Sequence, residues 1–379
     1  MQNKGNKAFI FGVATSGENF TDRQNETKRL LLNFQQGINT VLISPRRIGK
    51  TSLVRKVCEL AQSDDLKIVY LDIFSCRSDR EFYDAFATAI LRQTSSKLEE
   101  WIDNAKRFLS RITPKFSIGT DPMTDFSVSL ELNTKSEDVA DILQLPEKIA
   151  LEKGIKIVVC IDEFQQIGEF TNSITIQKKM RGVWQLQKHV SYCLFGSKKH
   201  LLSNLFQNKR MPFYQFGDTI FLNPIPTADW IPFIKSKFTE KHISISDLLI
   251  EELCDTVCNH SSYVQQLAWN VMLNTEKEVT EETLEDALND MLNQNSAMFY
   301  QQIDGLSAYQ INFIKALIAG VEKDFTSQNV LSEYNLGTKS NIARIVTVLT
   351  NKELIEKTNT GKIVFSDPLF PLWFKREFC

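Results

Sequence analysis

Hydrophobic residues follow two alternating patterns along residues 37–225. Short continuous apolar runs, GINTVLIS (37–44), KIVYLDIF (67–74) and GIKIVVCID (154–162), predict strands buried on both faces, as in a parallel sheet. Between these runs lie segments with apolar residues three and four positions apart, which predict amphipathic helices. In the segment 51–62 this spacing puts on one helix face Leu53, Val54, Val57, Leu60 and Ala61. Strands that alternate with helices predict an α/β fold with a parallel-sheet core.

The second half of the chain has helical spacing throughout residues 227–300 and then changes again. From about residue 303 the pattern predicts a helix, a short second helix, a third helix and a hairpin that turns at Asn359-Thr360-Gly361. This order of elements is that of a winged helix. We therefore expect three domains: a core over 1–226, a helical domain over 227–302 and a winged helix over 303–379.

The segment PKFSIGTDPMTDFSVSLEL (114–132) interrupts the core with a different pattern. Apolar and polar residues alternate on both sides of a Gly-Thr-Asp-Pro stretch, which predicts a β-hairpin. Two interpretations fit this hairpin: an insertion that binds a partner, or a flap that covers part of the core.

The composition is that of a soluble globular protein. Of the 379 residues, 42% are hydrophobic and 24% are charged, and the formal net charge is −2. Such a balance argues against a polybasic nucleic-acid coat and against a protein of the membrane surface. No run reaches the roughly 18 apolar residues that span a bilayer, and the segment MQNKGNKAFIFG lacks the apolar core of a signal peptide. We therefore expect a cytoplasmic protein with no membrane partner.

The seven cysteines are scattered along the chain. Cys160 and Cys193 lie in strand-like runs, where a thiol packs as a small apolar group. Cys254, Cys258 and His260 lack a fourth ligand at zinc-site spacing. We interpret these three as packed helix residues rather than as a metal site.

The stretch SPRRIGKTS joins a predicted strand to a predicted helix and contains the Gly-Lys-Thr of a phosphate-binding loop. The backbone amides of such a loop and the N-terminus of the following helix together bind phosphate. Gly49 lets the backbone approach the phosphate, Lys50 reaches the β- and γ-phosphates, and Thr51 offers its hydroxyl to Mg²⁺. Ser44 stands where the motif has its first glycine, and a small residue is expected to suffice there. The predicted nucleotide-binding residues of this loop are Ser44, Pro45, Arg46, Arg47, Ile48, Gly49, Lys50, Thr51 and Ser52.

The apolar run 154–162 ends in Asp162 and is followed by Glu163, which is the Walker B pattern. Asp162 would hold Mg²⁺ through water, and Glu163 would orient and polarise the attacking water. Alone, this run also fits a buried strand before an ordinary acidic loop. Both motifs at predicted strand ends, in this order, predict a nucleoside-triphosphate hydrolase.

A third strand-like run, VSYCLFGS (190–197), ends in Gly196-Ser197. With this run the sequence resembles the AAA+ superfamily, and more closely its STAND-type branch with the archaeal-type ATPases, of which the phrase PRRIGKTSL is typical. The segment FTDRQNETKRLL matches the Gly-Arg-x-x-Glu motif of that branch at Arg23 and Glu26, with Asp22 in place of the glycine.

The resemblance implies ATP as the nucleotide, Mg²⁺ as its metal ion, and a lid formed by the helical domain. It implies that Ser197 senses the γ-phosphate or the attacking water, and that Arg23 belongs to a segment that covers the base. Arg210 matches an arginine finger that reaches the site of a neighbouring subunit in a homo-oligomer, or it belongs to a solvated basic loop. Arg181 is a weaker match of the same kind and is more often a surface arginine.

Two functions fit these features. The first is a slow ATPase that acts as a molecular switch and couples its nucleotide state to an unidentified protein partner through the lid and the winged helix. The second is a DNA-binding or DNA-remodelling ATPase, because the third helix of a winged helix reads DNA. Here that helix is expected to expose Lys339, Ser340, Asn341 and Arg344. A basic stripe on this helix and the wing favours the second function, and an acidic or apolar face favours the first.

Overall fold

The computed structural model describes residues 8–13, 21–95, 97–109, 113–117, 127–131, 136–358 and 360–378. They form two compact units, one within Ala14–Asn223 and one within Pro224–Cys379 together with residues 8–13. Among the described residues, no helix combines the length and the apolar character needed to cross a lipid bilayer.

The first unit alternates strands and helices along the chain. Its helices are α1 (Gln24–Gln36), α2 (Lys50–Ala61), α3 (Asp79–Thr94), α4 (Leu98–Phe108), α5 (Ser136–Lys153), α6 (Ser173–Trp184) and α7 (Lys199–Gln207), with a 3-10 helix over Phe164–Glu169. Its strands are β1 (Thr40–Ile43), β2 (Leu66–Asp72), β3 (Thr113–Ser117), β4 (Ser127–Glu131), β5 (Lys156–Asp162), β6 (Val190–Phe195) and β7 (Asp218–Phe221).

Five parallel strands form the main sheet of this unit, in the order β2-β5-β6-β1-β7. In this register Leu42 of β1 is paired with Phe195 of β6 and with Ile220 of β7. Because parallel strands end at the same edge of a sheet, the loops that follow β1, β5 and β6 lie side by side. The predicted α/β fold with a parallel-sheet core is confirmed, and these three loops carry the candidate site.

Helix α2 buries the face that the spacing predicts, with one exception. Leu53, Val54 and Val57 are fully buried against the sheet, but Leu60 is 57% exposed, so the prediction is wrong for this residue. Leu60 lies at the edge of the helix face, and Ala61 takes the core-facing position in the last turn.

The insertion between β2 and β5 contains helices as well as the predicted hairpin. Strands β3 and β4 pair antiparallel, from Thr113 opposite Glu131 to Ser117 opposite Ser127. The predicted turn, including its Gly-Thr-Asp-Pro stretch, lies outside the described residues.

Both predicted buried thiols, those of Cys160 and Cys193, lie fully buried in the main sheet.

Among its described residues, the second unit is helical except for one hairpin and an isolated β-bridge between Ser244 and Glu278. Its elements are α8 (Thr227–Thr239), α9 (Asp247–Thr256), α10 (Ser261–Leu273), α11 (Glu281–Ile303), α12 (Ala308–Ile318), α13 (Gln328–Glu333), α14 (Lys339–Asn351), β8 (Ile355–Lys357), β9 (Ile363–Phe365) and α15 (Leu369–Phe378). Phe9 packs with this unit, since its ring contacts those of Phe233 and Phe238 at centroid distances of 6.1 Å. The three domain ranges that the sequence pattern predicts, 1–226, 227–302 and 303–379, stay a prediction.

The elements from α12 to the β8–β9 hairpin follow in the order predicted for a winged helix. Asn359, the first predicted turn residue of this hairpin, lies outside the described residues. The pattern did not predict α15, which buries Phe370 and Trp373. Trp373 Nε1 donates a hydrogen bond of 2.9 Å to Ser296 Oγ of α11, which ties this last helix to the unit.

Candidate nucleotide-binding site

The loop between β1 and α2 has the backbone shape that its glycine predicts. Gly49 has a φ of 94° and Arg47 a φ of 59°, both in the left-handed region. A Cβ at Gly49 would have no neighbour within 4 Å, so its backbone conformation, and not a lack of space, favours glycine. Helix α2 begins at Lys50, directly after this turn, so its N-terminus faces the loop.

Lys50 is held inside the loop by oxygen atoms. Its side chain is buried, and Nζ donates to Pro45 O at 2.7 Å, to Ser44 Oγ at 3.1 Å and to Ser44 O at 3.4 Å. Burial lowers the pKa of Lys50 to about 8, although Glu163 and Asp162 act in the opposite direction. Ser44 therefore does more than fill the place of a glycine, because its hydroxyl is a partner of this amine.

Asp162 lies at the end of β5 and collects hydrogen bonds on both carboxylate oxygens. Oδ2 accepts from Thr51 Oγ1 at 3.2 Å and from the Tyr70 hydroxyl at 2.7 Å, and Oδ1 accepts from the Glu163 amide at 2.9 Å. Burial raises the pKa of Asp162, and the hydrogen bonds from Tyr70 and Glu163 oppose this rise. The carboxylate thus joins the candidate loop to the end of β5.

Glu163 has a left-handed backbone, with a φ of 55°, and turns its side chain toward the end of β6. Its Oε2 accepts from Ser197 Oγ at 2.9 Å, from the Ser197 amide at 3.4 Å and from Gln165 Nε2. The two predicted catalytic residues Glu163 and Ser197 are therefore in direct contact. The strand order explains this contact, because β5 and β6 are neighbours.

The Arg23 side chain contacts the loop 44–52 instead of extending into solvent. It is buried, its Nη2 donates to Ile48 O at 3.2 Å, and its Nη1 lies 3.0 Å from Glu26 Oε1. Asp22, which replaces a glycine of the family motif, has a φ of 54°. Aspartate tolerates this left-handed region better than most residues, so the replacement keeps the backbone shape.

The other predicted site residues differ in exposure. Pro45 is half-buried, Ile48 and Ser52 are buried, and Arg46 and Arg47 are exposed. Arg210 is also exposed and lies before β7, where its backbone amide donates to Asn208 Oδ1 at 3.0 Å. Within the described residues, no hydrogen bond or ion pair links the Arg210 side chain to the loop.

Arg181 is half-buried rather than on the open surface. Its guanidinium carbon lies 5.0 Å from the centre of the Phe216 ring, which is a cation–π contact, and burial lowers its pKa.

Tyr70 and Gln165 contact the predicted site residues, and the sequence patterns did not single them out. Tyr70 lies in β2, the strand next to β5, between the apolar residues Val69 and Leu71. Gln165 follows the Asp-Glu pair by two residues. Gln165 is close to the Asp-Glu pair along the chain, and Tyr70 is close to it across the sheet. Proximity across the sheet can be predicted only when the strand order is known.

A family model described as "ATPase domain predominantly from Archaea" matches residues 20–221, and one described as "Probable winged helix domain" matches residues 297–376. Among curated proteins, an uncharacterized ATP-binding protein of Methanocaldococcus jannaschii is 26% identical over 198 residues. That match covers 50% of this chain and 48% of the relative, so the chain spans about half the length of the curated relative it matches.

Two solved structures share the fold over nearly the whole chain. The Walker-type ATPase of Pyrococcus abyssi has a TM-score of 0.66 at 16% identity and covers 97% of this chain and 100% of its own. The ORC2 protein of Aeropyrum pernix, solved as ADPNP and ADP complexes, has a TM-score of 0.59 at 13% identity and covers 97% and 96%. At these identities the likeness concerns the fold alone. It agrees with the family matches on a P-loop ATPase fold followed by a winged helix.

Proposed function

The chain belongs to the family of ATPases found predominantly in Archaea, and from this premise we propose that it binds ATP at the loop 44–52 and hydrolyses it slowly with Glu163. The observation that carries the proposal is the hydrogen bond of 3.2 Å from Thr51 Oγ1 to Asp162 Oδ2. It joins the candidate phosphate-binding loop to the acidic strand end, and hydrolysis of a nucleoside triphosphate needs both in one place.

Lys50 supplies the charge that binds the phosphates. Its amine already has oxygen partners on Ser44 and Pro45, which ATP would replace with oxygens of the β- and γ-phosphates. The backbone amides at the start of α2 add further donors for the same anion. Arg23 keeps the loop in shape through its hydrogen bond to the Ile48 carbonyl.

Thr51 and Asp162 are the residues that would hold Mg²⁺. Hydroxyl and carboxylate oxygens are the donors that this ion prefers, and these two lie 3.2 Å apart, so the residues fit the ion. When bound, Mg²⁺ neutralises charge on the phosphates. Glu163 accepts the proton of the attacking water. Ser197 orients the Glu163 carboxylate through the 2.9 Å hydrogen bond from its Oγ to Oε2.

ATP turnover by the Glu163→Gln variant tests this proposal. Turnover should fall by about 100-fold or more, with unchanged ATP affinity, because an amide keeps the shape of the side chain but cannot accept the proton. Glu169→Gln is the matched control, since Glu169 ends the 3-10 helix that follows Glu163 and forms a surface ion pair with Lys198 at 3.1 Å. The control should turn over like the wild type. Near-normal turnover by Glu163→Gln would contradict the catalytic role of Glu163.

Coupling to a protein partner is the output that we propose for this ATPase. In the ATP state the helical lid and winged helix would bind the partner, and hydrolysis would release it. Glu163→Gln loaded with ATP should therefore retain the partner in a pull-down, and wild type loaded with ADP should not. Equal recovery from both forms would contradict a nucleotide-dependent switch.

A DNA-binding ATPase is the second candidate, and the exposed face of α14 favours it. Lys339, Ser340 and Arg344 are exposed on this helix, which contains no acidic residue. Asn341 was predicted to be exposed but is half-buried, because its Nδ2 donates a hydrogen bond of 3.1 Å to Leu336 O. Replacing Lys339 and Arg344 by alanine should weaken DNA binding and flatten its salt dependence. Lys315→Ala, on the exposed side of α12, is the control. Equal affinities of all three proteins for duplex DNA would remove this candidate.

A further inference from the structure

We propose that Gln165 is a positioning residue for Glu163 and that the missing side chain at Gly196 makes room for it. This inference rests on the proposed role of Glu163 in hydrolysis. Gln165 lies in the 3-10 helix Phe164–Glu169, two positions after Glu163 along the chain. Its side chain is buried, with 2% of its surface exposed.

The hydrogen bonds of the Glu163 carboxylate are one-sided. Gln165 Nε2, Ser197 Oγ and the Ser197 amide all donate to Oε2. In the part of the chain that the structure describes, no donor is found on Oε1. Three donors on one oxygen fix the direction of the carboxylate and leave the other oxygen to accept a proton from water.

Stability alone does not explain an amide at position 165. Gln165 Oε1 is buried and has no hydrogen-bond partner among the described residues. Burying such an oxygen costs free energy, which an apolar side chain of similar size would avoid. Exchanging the positions of the Gln165 amide oxygen and nitrogen would not remove this cost, because the oxygen, an acceptor, would then face the Glu163 carboxylate. The benefit of this glutamine therefore lies in Nε2, whose acceptor is Glu163.

Gly196 makes this arrangement possible. A Cβ at this position would lie 1.9 Å from Gln165 Oε1 and 3.1 Å from the Cα of Glu163. Its backbone is not in the left-handed region, so conformation does not require glycine here. The space that the glycine leaves at the end of β6 is the space that the Gln165 amide occupies.

A double-mutant cycle of Gln165→Leu and Glu163→Gln tests the proposal, with the steady-state rate of ATP hydrolysis measured over a range of ATP concentrations. Gln165→Leu should lower kcat by about 10- to 100-fold, the range for residues that orient a reacting group, and should leave KM for ATP nearly unchanged. In the Glu163→Gln background the same change should cost nothing further, because it acts through the carboxylate that is already lost.

Gln166→Leu is the matched control, since Gln166 is the next residue of the same helix and its side chain bonds Glu169 Oε2 at 3.3 Å. It should retain wild-type kcat, and the melting temperatures of all variants check that they are folded. An equal fractional loss from Gln165→Leu in both backgrounds, or no loss in either, would overturn the positioning role. Normal turnover by Glu163→Gln alone would instead refute the proposed function, which separates the two failures.

Discussion

Replacing Gly196 by alanine is a small change with a large expected effect. The added methyl group would lie 1.9 Å from Gln165 Oε1 and 3.1 Å from the Glu163 Cα. The first distance would be a steric clash, and the Gln165 amide cannot turn outward easily because Gln165 is only 2% exposed. The second distance requires the backbone of Glu163 to shift.

Overpacking of this kind costs about 1–3 kcal/mol. For a unit of this size, that loss corresponds to a decrease in Tm of roughly 2–12 °C. ATP turnover should fall as well, because a displaced Gln165 no longer donates to Glu163. ATP affinity should change little, since Lys50 and its partners lie in a different loop.

Gly182→Ala is the matched control, because it makes the same chemical change with the opposite expected sign. Gly182 is exposed in α6, and a Cβ there would have no neighbour within 4 Å. Alanine should therefore stabilise the helix by about 0.5–1 kcal/mol. Calorimetry and a turnover assay on both variants decide the matter. A Gly196→Ala protein with unchanged Tm and unchanged turnover would refute the argument from space.

Three further predictions concern the candidate site. ATP affinity without Mg²⁺ should fall about tenfold per pH unit above pH 8, because burial lowers the pKa of Lys50 to about 8 and the phosphates need the protonated amine. Lys50→Arg should lack this fall, and an equal fall in both proteins would contradict the assignment. Tyr70→Phe should raise the Mg²⁺ concentration for half-maximal turnover about tenfold, because Asp162 loses a 2.7 Å hydrogen bond that orients it; an unchanged requirement would refute this. If Arg210 is an arginine finger that reaches a neighbouring subunit, turnover per subunit should rise with protein concentration, and mixing Arg210→Ala with Lys50→Ala subunits should restore part of the activity. Concentration-independent turnover would assign Arg210 to a solvated basic loop.

Local patterns were sufficient to predict most of the fold. Continuous apolar runs identified the strands that end at Asp162 or shortly before Ser44 and Ser197, because burial on both faces leaves a signal that does not depend on distant residues. The winged-helix elements also follow the predicted order. Leu60 was predicted wrongly, because periodicity defines a helix face but not where its packing ends.

The support of the candidate site could not be predicted in the same way. Tyr70 reaches Asp162 only because β2 lies next to β5, and strand order is a property of the whole sheet. Gln165 and Gly196 share one space, although they are far apart in sequence. Arg23 was expected over the base, and its contact with the Ile48 carbonyl depends on where α1 lies against the loop.

Identification of the nucleotide that remains bound after incubation with ATP and Mg²⁺ tests the central claim most directly. Wild type, Glu163→Gln and Lys50→Ala would each be incubated, separated from free nucleotide and analysed by chromatography. Wild type should hold ADP, Glu163→Gln should hold ATP, and folded Lys50→Ala should hold neither. ATP on all three proteins, or ADP on the Glu163→Gln variant, would contradict the account of this site.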